Sequence, residues 1–221
     1  MLIGIVGFIG SGKGTVGDYL CEKWGFEKDS FANPLKDCVS IIFRWDRKLL
    51  EGDTDESREF RERIDKNWSE IIGRQLTPRL ALQLFGTECI RNVFSENVWS
   101  SSLIMRYNEN NRKPTVVTDC RFRNEIFAIK KASGYIIRIS RGREPDWYEM
   151  MRRYNSGEMY IEEEMKVNDL IREGKIPHVS ETNWIGCKFD RTIINNGSVN
   201  DLYEVVDDIM EDIKIKGGLK K

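Results

Sequence analysis

The sequence predicts an α/β fold, a three-layer sandwich with a central, mostly parallel sheet of about five strands. Three observations predict it. Short apolar runs alternate with stretches of helical spacing, as in strands joined by crossover helices. The first run, Leu2 to Val6, has no polar side chain, as a strand buried on both faces requires. A glycine-rich loop then ends that run and opens a helix, at the end of the strand where open α/β sheets bind ligands.

The elements follow in order. Thr15 to Trp24 suits a helix, with Val16 and Leu20 four apart on one face and Gly25 as its stop. Phe26 to Phe31 reads as a second strand. From Pro34 to about Arg112 the pattern is mostly helical, with Leu80 and Leu84, then Ile90 and Val93, at helical spacing. Inside it, Asp46 to Asn67 is very polar and reads as a mobile insertion. Thr115 to Asp119 reads as a buried strand, followed by a helix from Asn124 to about Lys131 that Gly134 breaks. Tyr135 to Ile139 gives the next strand. Arg141 to Lys175 is charged and helical in pattern, with Gly174 as a stop, and Arg191 to Ile194 is the last short strand. Ser198 with Asp201 resembles a capping box. Val199, Leu202, Val206, Ile209 and Ile213 then form one apolar stripe, and the tail KGGLKK is expected to fray.

Bulk properties narrow the classes. The 221 residues suit one domain carrying inserted segments. The formal net charge is −1, from 35 basic and 36 acidic side chains, so the overall basic excess of a nucleic-acid binder is absent. No apolar run approaches a membrane span, and the apolar N-terminus lacks the basic segment of a signal peptide. Cys21, Cys38, Cys89, Cys120 and Cys187 are odd in number and form no CxxC pair. They read as reduced thiols of a cytoplasmic protein rather than a disulfide framework or zinc site.

The loop Gly7-Phe8-Ile9-Gly10-Ser11-Gly12-Lys13-Gly14-Thr15 matches the GxxxxGK core of the P-loop. Each part has a physical role. Glycines let backbone N–H groups turn toward phosphate oxygens, the helix N-terminus adds positive partial charge, and Lys13 supplies a point charge to the β- and γ-phosphates. Gly7, Gly10, Ser11, Gly12, Lys13, Gly14 and Thr15 are therefore candidates for ATP binding. The motif departs from the usual form at Gly14, which stands where Ser or Thr would contact Mg²⁺, so that role passes to Thr15 one residue later. A competing pattern, Gly12-x-Gly14-x-x-Gly17, has the GxGxxG spacing of dinucleotide sites. It begins five residues beyond Gly7, where the strand ends, and so falls inside the helix.

Asp119 stands at the C-terminal end of the apolar run Thr115-Val116-Val117, followed by Arg121 and Arg123. A carboxylate there is placed to hold Mg²⁺ directly or through water, and Arg121 to neutralise a transferring phosphoryl group. The plainer alternative is an Asp that caps the next helix beside solvated arginines. No Asn-Lys-x-Asp motif and no HRD or DFG set occurs, which disfavours guanine-nucleotide switches and excludes protein kinases.

Four segments together carry a family resemblance: GFIGSGKGT, FANPLKD at Phe31–Asp37, TPRLALQLFGTECIR at Thr77–Arg91 and VVTDCRFRNE at Val116–Glu125, with a weaker echo in HVSE at His178–Glu181. On these the chain resembles the bacteriophage deoxynucleoside monophosphate kinases of the adenylate-kinase-like P-loop group. The resemblance implies a single P-loop kinase domain over 1–221, with a helical monophosphate-binding insertion at about 34–112 and a lid at about 141–180. It implies transfer from ATP to a deoxynucleoside monophosphate with Mg²⁺, catalytic roles for Lys13, Asp119 and Arg121, metal contacts from Thr15 and Asp119, and Arg141 as a lid arginine at ATP. Lys36, Arg79, Gln83 and Thr87 become the acceptor-binding candidates. The last three lie four apart and share a face if one α-helix runs through them. The resemblance also implies a homodimer, and the host cytoplasm for a phage-encoded chain. Two other readings share the loop: a phosphomevalonate-kinase-like enzyme, and a non-catalytic ATP-binding protein.

Overall fold

The structure, a computed structural model, describes Met1–Gly218. Residues 219–221 lie outside the described residues; of the KGGLKK tail expected to fray, the first three residues instead continue the last helix to Gly218, and the other three lie outside. Two compact units are present: Met1–Asp29 with Arg106–Lys221, and Ser30–Met105.

Along the chain, β1 (Leu2–Val6) leads through the glycine loop into α1 (Lys13–Trp24), then β2 (Glu27–Asp29). The second unit follows with α2 (Asn33–Phe43), a 3₁₀ turn at Lys48–Leu50, α3 (Asp55–Glu62), α4 (Lys66–Ile72) and α5 (Pro78–Gln83). A π-helix, Leu84–Arg91, continues α5, and α6 spans Val98–Glu109. The remainder comprises β3 (Thr115–Val117), α7 (Arg123–Lys131), β4 (Tyr135–Ser140), α8 (Tyr148–Ser156), α9 (Ile161–Arg172), α10 (Val179–Thr182), β5 (Arg191–Ile194) and α11 (Val199–Gly218).

The five strands form one parallel sheet in the order β2-β3-β1-β4-β5. β1 is central, with Leu2 opposite Thr115 on one side and Ile3 opposite Tyr135 on the other. All five of its residues are buried, because helices cover both faces. Its packing is close: a Cβ on Gly4 would lie 2.6 Å from the Ile129 side chain and 2.9 Å from Cys120 Sγ. The core of this unit joins Ile3 and Ile5 to Val16 and Leu20 of α1 and to Leu202, Val206, Ile209 and Ile213 of α11. Val199, counted in the same stripe on spacing, is 53% exposed in the first turn of α11. The capping box beneath it forms as expected: Ser198 N–H donates to Asp201 Oδ2 at 2.7 Å, and Asp201 N–H to Ser198 Oγ at 3.2 Å.

The second unit has its own core of Val39, Trp45, Leu50, Leu76, Ala81 and Leu82. The polar stretch expected to be a mobile insertion carries structure of its own. Leu50 and Ser57 are buried, and Thr54 caps α3 through Ser57. The low apolar count there hides one fully buried leucine and a good cap. Arg141 to Lys175 is broken in two by Gly157, the left-handed cap of α8, before Gly174 turns the chain at φ +71°. Among the described residues no helix is long and apolar enough to cross a membrane.

Candidate active site

The loop after β1 is built from backbone conformations that a side chain resists. Gly7, Gly10 and Gly12 have φ of +151°, +79° and +104°. Space is as restrictive as conformation at two of them. A Cβ on Gly7 would lie 2.3 Å from the Ile139 carbonyl oxygen, and one on Gly12 would lie 2.6 Å from Asn195 Nδ2. Asn195, buried just past β5, donates to the Ser11 carbonyl at 2.9 Å and so ties the loop to the far side of β4. Ser11 Oγ is buried without a hydrogen-bond partner. The cap residue Gly12 supplies no side chain to the first turn of α1, whose amides stay available to an anion. Gly14 and Gly17 lie within α1, as the position of the GxGxxG pattern requires.

Lys13 curls back over the loop, donating from Nζ to the Gly7 and Phe8 carbonyls at 2.8 Å each. Burial lowers its pKa first, the Arg121 guanidinium lowers it further, and Glu181 acts in the opposite direction. Lys13, Arg121 and Glu181 therefore share one electrostatic neighbourhood. Arg121 forms an ion pair with Glu181, and its N–H donates to the Glu125 carboxylate at 2.8 Å. Asp119 lies two residues past β3, half-buried. Gly17 brings α1 against this strand end, since a Cβ there would meet the Thr118 side chain at 2.4 Å. Thr15 is half-buried in the first turn of α1. Burial and the Asp119 carboxylate together raise the pKa of the Cys120 thiol, which keeps it protonated and inert.

Arg141 is exposed just past β4 and lines a cavity of about 130 Å³ with Phe8, Ile9, Gly10, Ser11, Ser140, Arg143 and Glu144. The carboxyl ends of β1 and β4 thus open on one cleft. Sequence reasoning missed what anchors it. Phe8 meets Trp147, Tyr148 and Trp184 edge-on, with ring centroids 5.6, 6.2 and 5.0 Å away. Arg138 lies over Tyr148 and Trp184 and pairs with Glu144. Asn195 and this aromatic group come from positions remote in sequence, with no motif to mark them.

The four acceptor candidates lie in the second unit. Lys36 Nζ donates to Glu51 at 2.5 Å, and Glu51 also receives Arg47. Arg79 is exposed and paired with Glu62. Gln83 and Thr87 are exposed, but not on one continuous α-helical face. The helix widens at Leu84, and Asn92 N–H bonds the Thr87 carbonyl five residues back. In that i→i+5 geometry the four-residue spacing no longer stacks side chains. Four-residue periodicity cannot distinguish an α-helix from one that changes pitch.

The parallel sheet order, the glycine loop on its central strand and the lysine turned back over that loop define a P-loop phosphotransferase. The chain is 34% identical over 155 residues to a protein of Acanthamoeba polyphaga mimivirus named "Putative deoxynucleotide monophosphate kinase", spanning 64% of this chain and 74% of that one. It belongs to that protein's family. The relative comes from a mimivirus, and a bacteriophage origin for this chain is not shown. No family model matches the chain. Among solved structures, the dephospho-CoA kinase of Campylobacter jejuni aligns over 96% of both chains at 15% identity and a TM-score of 0.44. The shikimate kinase of Acinetobacter baumannii aligns over 96% of this chain and 94% of its own, at 16% identity and a TM-score of 0.41.

Proposed function

We propose that the chain transfers the γ-phosphoryl group of ATP to a deoxynucleoside monophosphate, yielding ADP and a deoxynucleoside diphosphate. The observation that carries the reading is the loop after β1, turned at three glycines with Lys13 curled back over it and Arg121 near enough to lower the Lys13 pKa, in a chain related to the mimivirus protein. A phosphate oxygen of the acceptor attacks the γ-phosphorus, and the bond to the β,γ-bridging oxygen breaks. The acceptor is already an anion, so no strong base is needed. Catalysis is positioning and charge neutralisation. Lys13 exchanges its two loop carbonyls for phosphate oxygens, and Arg121 neutralises charge on the transferring group.

Mg²⁺ suits the donors on hand. Among the described residues no three His, Cys, Asp or Glu gather as a protein-only metal site. The Thr15 hydroxyl and Asp119 carboxylate are hard oxygens, the kind Mg²⁺ takes while sharing phosphates and keeping waters. When bound, the ion would neutralise developing phosphate charge. On this reading Arg79 and Lys36 recognise the acceptor phosphate, Gln83 a base edge, and the arginines past β4, Arg141 among them, act as a lid over ATP. A coupled assay across deoxynucleoside monophosphates, ribonucleoside monophosphates and phosphomevalonate tests the proposal. ADP formation with the first group supports it. Turnover on phosphomevalonate alone, or ATP binding without turnover on any acceptor, rejects it.

A further inference from the structure

Arg121 is held at two points. Its backbone is fixed by Glu125, a carboxylate only 3% exposed that also receives the Phe122 N–H at 3.0 Å. Its guanidinium is held by Glu181 through Nη1. Glu181 stands on a platform that does not depend on its carboxylate. Its N–H donates to the His178 carbonyl at 2.8 Å, and its own carbonyl accepts Trp184 Nε1 at 2.8 Å. Thr182 and Trp184 are buried, and Asn155 of α8 donates to the Thr182 and Ile185 carbonyls at 2.8 and 3.1 Å. Arg123 N–H reaches Asn183 Oδ1 at 2.9 Å and its guanidinium the Ile185 carbonyl at 3.4 Å, so with the Arg121–Glu181 pair three contacts join the strand-end loop to the 181–185 segment. The Arg121 side chain is 47% exposed and Glu181 25% exposed, so the carboxylate is the more enclosed partner of the pair.

We propose that Glu181 is a positioning residue, holding the Arg121 guanidinium at the phosphate site in the orientation used during transfer. The inference rests on the phosphoryl-transfer reading, under which Arg121 touches the transferring group. An unrestrained arginine samples many rotamers, and ordering it only on encounter slows the chemical step. A carboxylate on a fixed platform orders it beforehand. Glu181 engages one guanidinium nitrogen of three, which leaves donors for phosphate oxygens. Its influence on Lys13 places it in the same field as the loop lysine.

The test is a double-mutant cycle of Glu181→Ala and Arg121→Ala in the full chain, with kcat from the coupled assay and ATP affinity from calorimetry. Glu181→Ala is expected to lower kcat by about 10- to 100-fold, the usual range for an orienting partner. ATP affinity should stay within about threefold, and the loss should vanish in the Arg121→Ala background. Glu181→Gln, which keeps an acceptor oxygen and every backbone bond of the platform, should fall between. It supplies the same comparison if the alanine variant unfolds early. Full kcat in Glu181→Ala overturns the proposal. So does an equal loss in both backgrounds, which marks a structural role, or tighter ATP binding at unchanged kcat, which marks a competitor of phosphate. If the unaltered protein transfers to no monophosphate, the kinase reading fails first and takes this proposal with it.

Discussion

Lys13 has an ammonium group held by two carbonyls of its own loop, and no described ion pair. Those bonds are local, so Lys13→Ala should melt close to the unaltered protein while losing on the order of 10²-fold or more in kcat. Stopped-time assays and a thermal melt on the same preparation check both halves, and near-normal turnover would reject the loop assignment. The same lysine sets a pH limb. Its pKa lies below the usual lysine range, by burial and then by Arg121, and the protonated form is the useful one. Activity is therefore expected to fall as pH rises through a value lower than that of an exposed lysine. Because kcat/KM for ATP reports the free enzyme, the limb belongs in that profile. A limb in the ordinary lysine range would contradict it. For Asp119→Asn the expected change is in metal demand: the Mg²⁺ concentration for half-maximal rate should rise severalfold, about a decade if a direct contact is lost. A titration unchanged in both rate and Mg²⁺ demand would leave Asp119 as a helix cap.

At the scale of elements, the β1–loop–α1 unit is fixed by backbone shape. Gly12→Ala would place a methyl at φ +104° within 2.6 Å of Asn195 Nδ2. We expect a cost of about 1–3 kcal/mol from strain, plus loss of the Asn195–Ser11 bond. Chemical denaturation with ATP binding measured in parallel would show both, and an alanine variant of full stability and affinity would contradict it. Much of this layer was legible in the sequence. β1 falls where its apolar run ends at a glycine loop, β5 covers the predicted Arg191–Ile194, and the α11 cap is read from two residues three apart. Such features depend only on near neighbours. The illegible features depend on distant ones: Phe8 meets residues 139 to 176 positions away, and Arg121 finds its carboxylate 60 residues on. The change of pitch at Leu84 was hidden for another reason, since an i→i+5 turn has no composition of its own. Val199 satisfies the stripe in spacing but sits in the first turn of α11, 53% exposed.

At the scale of the whole molecule there are two units, each with its own core, and the proposed function assigns phosphate chemistry to the sheet unit and acceptor recognition to Ser30–Met105. Arg79→Lys tests it. A guanidinium holds a phosphate with two parallel bonds that lysine cannot copy. The KM for the monophosphate should therefore rise by about one to two decades, as losing roughly 1.5–3 kcal/mol implies, while the KM for ATP changes little. Steady-state kinetics with each substrate varied at saturation of the other decides. Equal shifts in both constants would remove Arg79 from acceptor binding.

The central place of β1 also has a consequence for the chain during synthesis. The strand that carries the glycine loop is synthesised well before its partners, which begin at Thr115 and Tyr135. At about 5–20 residues per second it waits on the order of ten seconds for a neighbour, with a run of isoleucine and valine unpaired. Every contact of the Ser30–Met105 core is made within that interval from residues close in sequence. The Ser30–Met105 unit can therefore condense while the sheet unit is still open. Until β3 and β4 arrive, β1 is the strand exposed to aggregation, and this parallel sheet is a slow, late-closing structure.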